Sequence, residues 1–194
     1  MKKKLEFYYD FGSPTAYIAW TQLPKIISEA NAELLYIPIL LGGVFKATGN
    51  ASPAFIPAKG KYMGSDLKRY AKKYGIQFKQ NSFFPINTLN LMRGAIAAET
   101  LGISDKYIKV IFRAIWEEDL NMGDLNVLTK KLEENNIEAD EIVSLTQSDK
   151  IKNILKENTE KAVERGVFGA PTFFIGKDMF FGQDRLDWVK EYLS

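Results

Sequence analysis

The chain has no cysteine and no histidine. The first absence excludes disulfides, a thiolate nucleophile and any CxxC redox pair built from the chain's own residues. The second removes Ser-His-Asp machinery, imidazole general bases and His-based zinc sites. An enzyme of this composition needs its reactive group brought in by a cofactor. Charge of one sign is also lacking, since 26 Lys and Arg stand against 24 Asp and Glu. Without a basic field there is no basis for nucleic-acid binding, and a small-molecule partner is expected. No apolar run reaches membrane-spanning length, and the stretch behind Met1-Lys2-Lys3-Lys4 is too short and too polar for a signal sequence. The expectation is a cytoplasmic protein that does not engage a membrane.

What is present is a globular composition, 46% apolar and 26% charged over 194 residues, enough for a substantial core and against disorder. Leu5-Glu6-Phe7-Tyr8-Tyr9 reads as a buried first strand. Ser13-Pro14 then opens a helix. Serine is a good N-cap, and proline suits the first helical position because its missing N–H would have no partner there. The N–H groups and positive dipole end of that helix make the neighbourhood of Ser13 a place for an anion. Pro24 lies within the helix and predicts a kink or short break. Glu33 to Leu41 reads as a second, parallel strand ended by Gly42-Gly43.

From there to about Gly169 the strand signals give way to helical ones. Residues 42 to 64 are punctuated by glycine and proline and read as a loop. Helices are expected from Ser65 to Tyr74, from Asn87 to Leu101, from Asp105 to about Glu118, over 125–134 and 139–145, and from Lys150 to Arg165. Pro171 to Ile175 and Met179 to Phe181 then form a hairpin around Gly176-Lys177-Asp178, and a last helix runs from Arg185 to Leu193. The order β-α-β, helical block, β-β-α is an α/β class, thioredoxin-like fold with a large all-helical insertion. The sheet domain is discontinuous, 1–41 with 167–194, and the loop and helical insertion occupy 42–166. In such a fold Gly169-Ala170-Pro171-Thr172 looks like a cis-proline turn facing Ser13, offering the N–H and C=O of Ala170 to an extended peptide-like ligand.

Five stretches together resemble one family: Tyr9-Asp10-Phe11-Gly12-Ser13-Pro14, Leu41-Gly42-Gly43-Val44-Phe45-Lys46-Ala47-Thr48-Gly49-Asn50, Pro57-Ala58-Lys59-Gly60-Lys61-Tyr62, Phe168-Gly169-Ala170-Pro171-Thr172 and Phe181-Gly182-Gln183-Asp184-Arg185-Leu186. They are similar to the 2-hydroxychromene-2-carboxylate isomerases and the related kappa-class glutathione transferases. The resemblance implies glutathione as cofactor, with Ser13 Oγ at its sulfur in the place of the first cysteine of disulfide oxidoreductases, and Ala16 in the place of the second. It further implies Asn50 and Lys59 at the glycyl end or other polar parts of glutathione, Ala170 beside Pro171 at the cysteinyl backbone, and Gln183, Asp184 and Arg185 at the γ-glutamyl end.

The reaction so implied adds the thiolate reversibly to a conjugated double bond of a small aromatic carboxylate, which then rotates. In that setting Arg93 is a candidate for the substrate carboxylate and Trp116 for an aromatic pocket wall. A homodimer is also implied. Where family members often read Asp-Ile after the tryptophan helix, this chain has Asn121-Met122. Plainer readings stand beside each residue: Ser13 as a simple N-cap, Asn50 as a turn residue, Lys59 as a solvated lysine, Asp184 as a helix cap, Arg93 in a structural ion pair and Trp116 in the core. The alternative functions are a kappa-like transferase and a redox-inactive thioredoxin-fold binding module.

Overall fold

The computed structural model describes residues 2–194. Strand β1 (Lys4–Tyr9) leads into helix α1 (Pro14–Ala30) and returns as β2 (Glu33–Pro38), parallel to β1 and paired Phe7 to Tyr36. Seven helices follow: α2 (Leu41–Thr48), α3 (Pro57–Tyr74), α4 (Leu89–Thr100), α5 (Ser104–Trp116), α6 (Leu125–Glu134), α7 (Ala139–Gln147) and α8 (Asp149–Glu164). The chain closes with the hairpin β3 (Thr172–Ile175) and β4 (Asp178–Phe181) and with α9 (Leu186–Leu193). The sheet order is β2-β1-β3-β4, with β3 antiparallel to β1. Both ends of the chain are needed to make it.

The side-chain alternation of β1 sets the two layers. Leu5, Phe7 and Tyr9 point into one core, shared with α1, α5 and α9, while Tyr8 points into a smaller cluster with Val44 of α2, Ala162 of α8 and Phe174. Aromatic rings fill the first layer. Phe7 stacks on Phe173 at 5.3 Å between centroids, and Phe11 meets Phe112 edge-on at 4.8 Å. Each such pair contributes about 0.5–1.5 kcal/mol beyond its buried area. Residues of the strands and of the helical block therefore share one core.

Three expectations are corrected. The second strand stops at Pro38, and Gly42-Gly43 lie inside α2 rather than ending a strand. The Asp10 carboxylate accepts from the Leu41 N–H at 2.8 Å and so supplies the start of α2 from a distant strand end. The expected loop of 42–64 is mostly helical, because a 3-10 turn at Pro53–Phe55 is followed at once by α3, whose first residue is Pro57. Ser65 is then interior, its hydroxyl donating to the Lys61 carbonyl at 3.2 Å instead of capping. Third, α1 runs unbroken from Pro14 to Ala30 through Pro24. Burial of Leu23 and Ile26 on either side holds the turn that the proline weakens.

Gly94 of α4 packs directly against Tyr107 of α5. A Cβ there would lie 2.1 Å from the Tyr107 Oη and 2.7 Å from its Cζ. Tyr107 is fully buried and its hydroxyl donates to the Leu91 carbonyl at 3.1 Å, so the ring has nowhere to swing. Helix propensity alone would make Gly94→Ala stabilising by about 1 kcal/mol. Overpacking reverses the sign, and Gly94→Ala is expected to lose about 1–3 kcal/mol in denaturant titration. A variant as stable as the parent would show that α4 and α5 do not pack this closely.

Candidate active site

The turn between β1 and α1 is held by hydrogen bonds from distant side chains and from its own Asp10. The Phe11 N–H donates to Met92 Sδ at 3.4 Å, and the Phe11 carbonyl accepts from Trp116 Nε1 at 2.9 Å. Asp10 Oδ1 accepts from the Gly12 N–H at 2.9 Å, and the Ser13 N–H reaches the Asp10 carbonyl at 3.0 Å. Buried backbone groups need such partners, and here they hold the turn rigid. Ser13 follows in an extended conformation as the N-cap of α1, its Oγ accepting from the Ala16 N–H at 3.1 Å.

The Ser13 hydroxyl is 2% exposed and donates across the cleft to the Ala170 carbonyl at 2.9 Å. Thr15 Oγ1 lies 3.0 Å from Ser13 Oγ and donates to the same carbonyl at 3.2 Å. The Ala170-Pro171 bond is cis, as expected; Phe84-Pro85 is cis as well. Thr172 Oγ1 holds the turn by donating to the Gly169 carbonyl at 2.7 Å, and the Pro171 carbonyl accepts from the Gly182 N–H at 3.0 Å. One expectation changes here. The Ala170 carbonyl is occupied by two protein hydroxyls, so of its two backbone groups only the N–H has no acceptor among the described residues.

A cavity of about 260 Å³ opens beside these groups and brings together Ser13, Asn50, Ala170, Gln183 and Asp184. Asn50 lines it, with Nδ2 donating to the Phe168 carbonyl at 2.8 Å and Oδ1 accepting from the Ala51 N–H at 2.8 Å. Asp184 sits in the 3-10 turn Gln183–Arg185 that precedes α9. Gly182 permits this, since its φ of 102° is costly for other residues and a Cβ would fall 2.5 Å from Asp184 Oδ1. Lys59 lies in an adjoining groove of about 440 Å³ that shares Thr15, Pro53, Met63 and Gln183 with the cavity.

Besides Lys59, four expected site residues do not line this cavity: Pro171, Arg185, Trp116 and Arg93. Arg185 does not line it and instead pairs with Asp184 at 2.7 Å. Trp116 is fully buried against Phe78 and Phe84, and its indole fixes the Phe11 carbonyl behind Ser13 rather than forming a pocket wall. Arg93 lies on the opposite side of α2, where it lines a different cavity with Leu40 and Ala47.

The structure adds residues that sequence reasoning left out. Thr15, two residues after Ser13 on the first turn of the helix, was within reach of the spacing, whereas the apolar lining by Phe45, Met63, Phe84 and Phe181 comes from four separate segments. Asp10 is the other. Its carboxylate ties the Ser13 turn to α2, and burial pushes its carboxyl above the ordinary value, against the opposing pull of the Leu41 and Gly12 N–H groups and the Thr88 hydroxyl.

A carboxyl whose folded-state pKa is raised keeps its proton in the native state above about pH 3.9, where the unfolded chain has lost it. Stability contributed at Asp10 therefore falls as pH rises through that window. Thermal melts of the parent and of Asp10→Asn from about pH 4 to neutrality should show the difference, parent minus variant, declining with pH. A difference that grows with pH would mean that the N–H groups outweigh burial.

Residues 4–194 match the family of DSBA-like thioredoxin domains. A 2-hydroxychromene-2-carboxylate isomerase of Sphingobium xenophagum is 30% identical over 100% of this chain and 99% of that protein. Glutathione S-transferase kappa 2 of Caenorhabditis elegans is 30% identical over 100% of this chain and 92% of its own. A solved structure of 2-hydroxychromene-2-carboxylate isomerase superposes with a TM-score of 0.87 at 28% identity, covering 97% of this chain and 93% of that one. With a likeness that runs from end to end in both sequence and structure, the chain belongs to the DSBA-like thioredoxin family, among its 2-hydroxychromene-2-carboxylate isomerases and kappa glutathione transferases.

Proposed function

We propose that the protein is a glutathione-dependent isomerase of the 2-hydroxychromene-2-carboxylate type. The observation that carries this reading is the Ser13 hydroxyl, buried at the N-terminus of α1 and facing the Ala170-Pro171 turn, in a chain with no thiol or imidazole of its own. Glutathione fits the residues present on one feature of the cavity, an Ala170 N–H that has no acceptor among the described residues, beside the Ser13 donor, which suits a thiol peptide in extended form. Ser13 would stand at the sulfur, Ala170 with Pro171 along the cysteinyl backbone, Asn50 and Lys59 toward the glycyl end, and Gln183 and Asp184 toward the γ-glutamyl end, with Arg185 orienting Asp184. When bound, glutathione supplies a thiol nucleophile that adds reversibly to a conjugated double bond.

The chain's own residues set the conditions for that chemistry. The α1 N-terminus provides a field that favours an anion beside Ser13. The single hydroxyl hydrogen of Ser13 rests on the Ala170 carbonyl, and turning it toward a sulfur releases that carbonyl. Thr15 limits the cost because its own hydroxyl already reaches the same oxygen. Phe45, Phe84 and Phe181 give the cavity an apolar side able to receive an aromatic ring and exclude water. A kappa-like transferase is the second reading, favoured by the 30% identity over the whole chain to the worm protein.

Calorimetry with reduced glutathione and assays with a hydroxychromene carboxylate test the proposal. Binding is expected, with isomerisation and full recovery of glutathione, and Ser13→Ala should lower kcat/KM roughly 10- to 100-fold, the worth of one hydrogen bond to a charged group. Consumption of glutathione with a chlorinated nitrobenzene and no isomerisation would favour the transferase. If glutathione does not bind at millimolar concentration, both readings fail.

A further inference from the structure

Helix α2 has a cavity on each side. Leu41 and Phe45 face the Ser13 cavity, while Leu40, Gly43 and Ala47 line a second, open one of about 720 Å³ shared with α4 and α8. That volume lies within the range of sites for small organic ligands. Its walls are apolar through Leu40, Leu89, Leu155 and Val163, and its charged groups are Arg93, Lys152 and Lys156 against Glu160 and Glu164.

Arg93 is the unusual member. Among the described residues its buried Nε has no hydrogen-bond partner and the side chain forms no ion pair within 4.0 Å. The lining carboxylates do not serve it, and Glu160 lies instead 3.9 Å from Lys156. Lys152 likewise lies 3.7 Å from Asp149. A buried guanidinium N–H without an acceptor is costly, and structures rarely leave one. An Arg fork is matched in geometry by a carboxylate, which two parallel N–H groups can hold.

We propose that this second cavity binds a small monocarboxylate with an apolar body, its carboxylate on the Arg93 fork and that body between Leu40, Leu89, Leu155 and Val163. The site is separate from the Ser13 cavity and stands whether or not glutathione binds there. Lys152 and Lys156 also line the cavity, and each lies within 4.0 Å of a carboxylate that partly neutralises it.

Calorimetric titration of 2-naphthoate into four proteins tests this: the parent, Arg93→Met, Ala47→Trp and Asn50→Trp. Ala47 and Asn50 are both exposed, so a large side chain at either is accommodated, and each narrows one of the two cavities. The parent should bind one equivalent at submillimolar to millimolar concentration. Arg93→Met should weaken binding at least about tenfold, as loss of a charged hydrogen-bond donor implies, and Ala47→Trp should do the same without touching Arg93. Asn50→Trp should leave it unchanged. Absence of binding to the parent, or binding lost with Asn50→Trp and retained with Arg93→Met and Ala47→Trp, would overturn the proposal, the latter result assigning the ligand to the Ser13 cavity. Should Arg93→Met fail to fold in circular dichroism, the two tryptophan variants still decide the question.

Discussion

The contact between the Ser13 hydroxyl and the Ala170 carbonyl joins residues 157 positions apart and closes the two halves of the fold at the site. The same oxygen caps α1 through the Ala16 N–H, so one side chain ends a loop, starts a helix and clasps the turn that enters β3. Its position is over-determined. Asp10 within the turn, Met92 of α4 and Trp116 of α5 between them hold the backbone of residues 11–12. Rigid placement of a donor at a helix N-terminus is what a bound anion requires, because little reorganisation remains when it arrives.

Asp10 extends that constraint to α2, whose start it supplies through the Leu41 N–H. The helix forms a wall of the Ser13 cavity with Leu41 and Phe45 and a wall of the Arg93 cavity with Leu40 and Ala47. The strand end, the serine turn and the wall between the two cavities are thus one connected unit. The apolar groups that surround it arrive from α2, α3, β4 and the segment at the Phe84-Pro85 bond, and the shape of the cavity depends on the packed core behind them.

Local signals in the sequence carried much of this. The aromatic alternation of β1, the Ser13-Pro14 helix start, the Ala170-Pro171 turn and the β3–β4 hairpin are each written in a few adjacent residues, and each is found where it was expected. What was not legible depends on residues far apart in the chain. Gly42-Gly43 read as a stop because the Asp10 carboxylate that starts α2 lies about thirty residues earlier. Pro24 read as a break, yet core packing outweighs it. Arg93 and Trp116 were placed near the substrate by their neighbours in sequence, whereas helix geometry turns Trp116 into the core and puts α2 between Arg93 and Ser13. Asn50, Gln183 and Asp184 do meet Ser13 around one cavity, and Lys59 meets it through an adjoining groove.

Ser13 and the first turn of α1 are placed to stabilise a bound thiolate. Ultraviolet titration of the glutathione thiol in the presence of excess protein measures this directly. Bound glutathione should ionise at lower pH than free glutathione, and the shift should shrink in Ser13→Ala while the residual helix field keeps part of it. An ionisation unchanged from that of free glutathione, with binding demonstrated in the same sample, would contradict it.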